Sequence, residues 1–294
     1  MRTLLLLLSL LAPALCGCLS SRWFAPAGAP RRAVAGPAWR EPMPAGQLVI
    51  HADFALPAGH RMVSELTSQR QLVCDRLQIP AGHEPVHVFL FADERDYRDY
   101  VARTFPGFPE RRAIFVETDV QLAVYAHWND RVAEDLRHEV THGYLHSSLP
   151  HLPLWLDEGL AEYFEVPRTR RGLNRPHVVD LRQRLGGGAW RPDLKRLEAL
   201  TSAAAMTQLD YAESWLWVHY LLESDDAPPG VLTEYLQRLR RDGAAAPISG
   251  MIGRDLDLHS ARLVEHLQRL AVEPPPGAAA VAAVDADVAA PSGQ

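Results

Sequence analysis

The sequence has no excess of basic residues and no apolar run long enough to cross a membrane. Its 30 Lys and Arg residues stand against 36 Asp and Glu residues, and the formal net charge is -6. Proteins that bind nucleic acid concentrate positive charge to neutralise phosphates, so we expect no nucleic-acid partner. The apolar stretch at residues 4–11 is much shorter than the roughly 20 residues of a membrane-spanning helix. It follows a single Arg and precedes small residues, which indicates a secretory signal peptide.

Cysteine is also scarce, with three residues at positions 16, 18 and 74. The segment "LCGC" that ends the signal peptide resembles a bacterial lipobox, which implies cleavage before Cys18 and lipid attachment to its thiol. Cys16 stands where a lipobox usually has Ala, Ser or Thr, and an ordinary secreted protein cut nearby is the alternative. With Cys16 removed and Cys18 acylated, Cys74 could form no disulfide within the chain. We predict a lipid-anchored protein of the bacterial cell envelope, outside the cytoplasm.

Composition divides the chain into four parts. A signal peptide at 1–17 is followed by a flexible tether at 18–46, rich in Pro, Ala, Gly and Arg. The folded domain is predicted at 47–272, because 47% hydrophobic residues over this length can bury a sizeable core. A tail at 273–294, rich in Ala, Pro and Gly, is predicted to be disordered.

Hydrophobic periodicity predicts an α+β fold with a small mixed sheet at 47–129 and a mainly helical half at 130–272. The strands are "QLVIHADF", "VHVFLFA", "AIFVET" and "QLAVYAHW", with helices at 58–77 and 93–103 between them. Six further helices are predicted in the second half, at 130–147, 154–164, 176–185, 210–222, 230–241 and 259–271.

The motif "HEVTH" opens the helical half and indicates a metal site. An α-helix turns 100° per residue, so His138 and His142 project from one face and can both reach a single metal ion at about 2.1 Å. Glu139 stands beside them and is placed to accept a proton from an attacking water. The alternative is a solvated helix face, because such a pattern also arises by chance.

The next segment, "PLWLDEGLAEYFE", supplies a possible third ligand. Glu158 and Glu162 share the side of this helix opposite an apolar stripe, and Glu158 follows His142 after the fifteen residues 143–157. Asp157, which projects about 100° away from Glu158, is an alternative ligand. His146 and His151 are expected to line or cap the cleft.

Together, "HEVTH" and "WLDEGLAEYFE" resemble the gluzincin metallopeptidases of the peptidase MA clan. Over about 48–222 the chain is most similar to an uncharacterised peptidase-MA-like group of bacterial surface lipoproteins. The resemblance implies a zincin-like domain with Zn²⁺ on His138, His142 and Glu158 and with Glu139 as general base. It also implies that Glu162 is a carboxylate that orients a ligand histidine.

A weaker resemblance concerns "LDYAESWLWVHYLL". In gluzincin aminopeptidases a Tyr at this position of a helix stabilises the tetrahedral intermediate, and Tyr211 stands at the matching place. A core tyrosine is the equal alternative. The "G-x-M-E-N" strand of those aminopeptidases is missing, whereas the strand at 121–126 could pair with an extended peptide, which favours an endopeptidase.

The sequence thus predicts a lipid-anchored zinc peptidase that hydrolyses peptide or protein substrates. The rival hypothesis is a non-catalytic lipoprotein that retains the fold and binds a peptide or a cell-wall component, since a fold does not fix a function. The presence of Glu139 favours the enzyme, because a structural zinc site needs no base beside its ligands.

Overall fold

A computed structural model describes residues 36–108 and 110–271, and its first part is a five-stranded mixed sheet. The strands are β1 (Met43–Ala45), β2 (Leu48–Ala52), β3 (Val86–Phe91), β4 (Ala113–Thr118) and β5 (Gln121–His127). Along the sheet they follow the order β1-β2-β3-β5-β4. The central strands β2, β3 and β5 are parallel, and β1 and β4 are antiparallel edges. The predicted mixed sheet is confirmed.

Strand β1 corrects one predicted boundary. Met43–Ala45 pairs with β2 through a turn at Gly46, whose φ of 65° favours glycine. The flexible tether predicted at 18–46 therefore does not extend to residue 46. A three-residue strand that contains Pro44 has too little alternation to be detected from sequence. The predicted signal peptide, the lipidated Cys18 and the tail at 273–294 lie outside the described residues.

The helices agree with the predicted pattern, with ends that differ by at most three residues. Two short helices, α6 and α9, were missed because five residues are too few to show a helical period. The helices are α1 (Arg61–Leu77), α2 (Glu94–Thr104), α3 (Val132–His146), α4 (Leu154–Phe164), α5 (Arg175–Gly186), α6 (Leu194–Glu198), α7 (Gln208–Glu223), α8 (Val231–Asp242), α9 (Ile248–Ile252) and α10 (Leu256–Arg269). None of these described helices is both long and apolar enough to cross a membrane.

The sheet positions α3 by burying one of its faces. Leu136, Val140 and Tyr144 recur at helical spacing and pack with α1 against the strand residues of one sheet face. The other sheet face is covered by α2, through Tyr97 and Val101. A separate apolar cluster fills the helical half around α4 and α7. Helix α3 therefore lies between the sheet and the helical half.

Strand β5 does not have the free edge that pairing with a peptide requires. It hydrogen-bonds to β3 on one side and to β4 on the other. The expectation that residues 121–126 bind an extended peptide is therefore wrong, because both edges of β5 are already hydrogen-bonded to neighbouring strands. The edge strand on this side of the sheet is β4.

Two glycines beside the candidate ligands allow close helix packing. A Cβ on Gly143, next to His142, would lie 2.6 Å from Val86 Cγ1 of strand β3. A Cβ on Gly159, next to Glu158, would lie 2.6 Å from the backbone oxygen of Ser214 in α7. Both distances are too short for a non-bonded contact, so neither position has room for a side chain. The two glycines therefore determine how closely α3 approaches β3 and how closely α4 approaches α7.

We expect Gly159→Ala to lower the free energy of unfolding by about 1 to 3 kcal/mol, because the new methyl group has to push α7 away from α4. Urea denaturation measures the change. The control is Gly186→Ala, at a helical glycine with no neighbouring atom within 4 Å of the added Cβ. Equal stability of the two variants would show that the α4–α7 crossing tolerates the methyl group.

Candidate metal centre

The polar side of α3 is buried. His138, Glu139 and His142 are each 0% exposed and lie outside the face through which Leu136, Val140 and Tyr144 pack against the sheet. A solvated helix face, the alternative left open by the motif alone, is therefore excluded. Buried polar groups are costly unless they are hydrogen-bonded or bound to a metal, so these side chains require partners.

Helix α4 brings Glu158 to the two histidines. Its Oε2 lies 3.6 Å from His138 Nε2 and 3.8 Å from His142 Nε2. These distances exceed those of hydrogen bonds. Two ligand atoms bound to one tetrahedral zinc at about 2.1 Å lie about 3.4 Å apart, which is close to the observed spacing. The three buried residues could therefore hold one metal ion.

Carboxylates on the far side of each ring determine which imidazole nitrogen is available. His138 Nδ1 is 2.9 Å from Glu165 Oε2, and His142 Nδ1 is 2.9 Å from Asp157 Oδ1. Because an ionised carboxylate only accepts, it holds the proton on Nδ1 and leaves the Nε2 lone pair free. Both Nε2 atoms are buried, and no hydrogen-bond partner for them occurs in the described part of the chain. This is the donor arrangement that a metal ion satisfies.

The carboxylate that contacts His138 is Glu165 rather than the predicted Glu162. Glu162 Oε2 instead accepts hydrogen bonds from His177 Nε2 at 2.8 Å and Asn174 Nδ2 at 3.2 Å. The prediction followed the family pattern, but Glu165 reaches the ring because it lies two helical turns after Glu158 on the same face. The spacing of residues 158, 162 and 165 places all three on one side of the helix, so the sequence alone allowed either acid to reach the ring.

The two acids on this side differ in their affinity for protons. Burial, together with the nearby Glu162, raises the pKa of Glu165 to about 7. Burial alone would also raise the pKa of Glu162, but the charge and hydrogen bond of His177 lower it below the usual value. Glu162 is therefore the anion that stabilises His177.

Asp157, the alternative third ligand, is oriented away from the metal position. Its Oδ1 contacts His142 Nδ1, and its Oδ2 contacts His146 Nε2 at 2.8 Å. Burial would raise its pKa, yet His146 and His142 hold it well below the usual range. Glu117 on β4 lies 2.7 Å from the other nitrogen of His146, a contact that the sequence did not suggest. His151 is exposed.

Glu139 and Tyr211 complete the group of buried polar side chains. Both carboxylate oxygens of Glu139 are without a hydrogen-bond partner among the described residues, and burial raises its pKa. The Tyr211 hydroxyl, on α7, is likewise buried and unpartnered in that part of the chain. Burial and the charge of Glu158 raise its pKa far above the usual value. Tyr211 is thus a buried core residue whose hydroxyl is close enough to Glu158 for the carboxylate charge to raise its pKa.

A family model described as a protein of unknown function, DUF1570, matches residues 133–242. The chain is similar to that family over this stretch. The matched stretch contains the candidate ligands His138, His142 and Glu158, together with Glu139 and Tyr211. No curated protein matches the chain. The similarity therefore covers the helices that carry the candidate metal ligands, without assigning them an activity.

We expect His138→Ala, His142→Ala and Glu158→Ala each to remove most of the bound metal, because each deletes one donor atom of a three-residue site. Elemental analysis of purified, dialysed protein gives the metal content per chain. Glu139→Gln is the matched control, with similar burial but no donor role, and should keep the wild-type content. Full metal content in the Glu158→Ala protein would mean that another residue supplies the third ligand.

Proposed function

We propose that this protein is a zinc-dependent peptidase of the gluzincin type. The observation that carries the proposal is the convergence of His138, His142 and Glu158 at metal-ligand spacing, with the buried and unpartnered Glu139 beside them. Two imidazoles and one carboxylate from three residues are typical of a catalytic zinc site with an open coordination position. The resemblance of "HEVTH" and "WLDEGLAEYFE" to gluzincins supports the same function.

The chemistry requires a Lewis acid and a base. A bound zinc ion would polarise the substrate carbonyl and lower the pKa of water. Glu139 then accepts a proton from the attacking water and returns it to the amine that leaves. The raised pKa of Glu139 suits this role, because a base that must also release its proton works best when its pKa is near the ambient pH.

We propose that an extended peptide binds along β4. This edge strand is close to the metal-binding histidines, since Phe115 stacks on His142 with ring centroids 5.8 Å apart. Glu117 on the same strand contacts His146. Pairing of a peptide with the outer edge of β4 would bring its backbone past the metal centre. A substrate held along a strand extends in both directions, so we propose an endopeptidase.

The lipobox-like sequence at Cys18 supports a location of the protein in the bacterial cell envelope, anchored to a membrane.

The Glu139→Gln variant tests whether the protein is an enzyme. We expect the zinc-loaded wild type to cleave members of a broad peptide library, and the variant to lose about 10²- to 10⁴-fold in rate, as for removal of a general base. Mass spectrometry of the products measures cleavage. Equal zinc content in both proteins ensures that the base, not the metal, has been changed. A wild type that binds zinc and peptides without cleaving them would be the non-catalytic lipoprotein.

Tyr211→Phe tests the role of the hydroxyl. If it donates to the oxyanion, turnover should fall by about 10²- to 10³-fold, while zinc content and the melting temperature stay unchanged. Kinetics with a cleaved library peptide measure this. Near-normal turnover in the Phe protein would make Tyr211 a core residue. In that case Tyr211→Ala should still lose about 3 to 5 kcal/mol of stability, as other buried aromatics do.

A further inference from the structure

A chain of hydrogen bonds joins the edge of the sheet to the candidate metal ligand His142. Glu117 Oε2 on β4 is 2.7 Å from His146 Nδ1. His146 Nε2 is 2.8 Å from Asp157 Oδ2, and Asp157 Oδ1 is 2.9 Å from His142 Nδ1. Three elements, β4, α3 and α4, thus contribute to one continuous path. The side chains of His146 and Asp157 are 1% and 4% exposed, and that of Glu117 is 33% exposed.

The positions of the protons along this path follow from the chemistry of its carboxylates and imidazoles. A carboxylate can only accept a hydrogen bond, and His146 has a carboxylate at each ring nitrogen. Both nitrogens of His146 therefore carry protons, and the ring is a cation between two anions. Asp157 in turn accepts from two imidazoles, which fixes both of its oxygens. A buried cation with an anion on each side is the arrangement that offsets its loss of hydration.

Asp157 can direct one oxygen at His142 only if its other oxygen is held. A carboxylate turns about its Cβ–Cγ bond, and a buried oxygen without a donor costs free energy. If His146 were absent, Asp157 would gain by turning its free oxygen toward another donor, and this change weakens its bond to His142. His146 is itself held by Glu117, so the orientation of the ligand depends on the edge strand.

The other candidate histidine ligand, His138, is oriented by a different set of hydrogen bonds. His138 is contacted by Glu165, whose second oxygen accepts a hydrogen bond from Asn174 at 2.8 Å. The path through His146 therefore acts on His142 without involving His138. This separation makes its contribution measurable.

We propose that Glu117 and His146 are positioning residues of the metal centre, which act through Asp157 to hold His142 in its metal-binding orientation. The inference rests on the proposed zinc site and not on peptidase activity. Its test is therefore the affinity for zinc, measured by competition with a chelator of known affinity on the full-length purified protein.

Asp157→Ala should weaken zinc binding by about 10- to 100-fold, the usual effect of removing a residue that orients a metal ligand. His146→Ala should weaken it by about 10-fold, the lower end of that range, because it acts through Asp157. His146→Gln should restore most of the affinity, because the Gln amide nitrogen can take the place of Nε2 and donate to Asp157. Glu117→Ala should act in the same direction as His146→Ala. Asp119→Asn is the control for the loss of one negative charge, since Asp119 is exposed at the tip of the same hairpin.

The double variant His146→Ala/Asp157→Ala separates positioning from general damage to the fold. If His146 acts through Asp157, the double variant should bind zinc no more weakly than Asp157→Ala alone. Losses of affinity that simply add would overturn the inference, as would wild-type affinity in His146→Ala.

Melting curves of the zinc-free proteins show whether a variant is folded. If His146→Ala is not folded, His146→Gln retains the test. A wild-type protein without zinc affinity would overturn the metal site itself, whereas zinc binding without peptide cleavage would overturn only the proposed activity.

Discussion

The structure depends on the need to satisfy a group of polar side chains that are buried between α3 and α4. His138, Glu139, His142 and Glu158 are fully buried, and an isolated charge at such a place would be far too costly to keep. The surrounding residues reduce that cost by direct hydrogen bonds. Glu165 and Asp157 each accept a hydrogen bond from one ring, so the histidines present their remaining nitrogens to a common point.

This arrangement requires a rigid frame, because a metal ion tolerates small errors in ligand position poorly. The frame is the apolar packing of α3 on the sheet and of α4 on α7. Gly143 and Gly159 lie immediately beside His142 and Glu158, at the points of closest approach. The absence of a side chain next to each ligand thus sets the distance between the elements that carry them. The stability of the fold and the geometry of the candidate metal centre depend on the same contacts.

The two sides of the candidate metal centre use their carboxylates differently. On the His138 side, Glu165 lies between His138 and Asn174, and its neighbour Glu162 contacts His177. On the His142 side, Asp157 is an anion between two histidines, and the network ends at the partly exposed Glu117 on the sheet edge. The edge strand along which we propose that a peptide binds is therefore connected to only one of the two histidine ligands.

The sequence by itself determined the helices and most strands, because amphipathic period is a local property of the chain. It also determined that His138, Glu139 and His142 share one helix and that Glu158 lies on the next, since spacing on a helix fixes direction. Tertiary structure decided what these residues contact. Glu165 instead of Glu162 reaches His138, and Glu117 meets His146, because both contacts depend on the crossing of α3, α4 and β4. Strand order likewise placed β4, not β5, at the edge. Pairing between distant segments has no local signature, and so only the folded chain could reveal it.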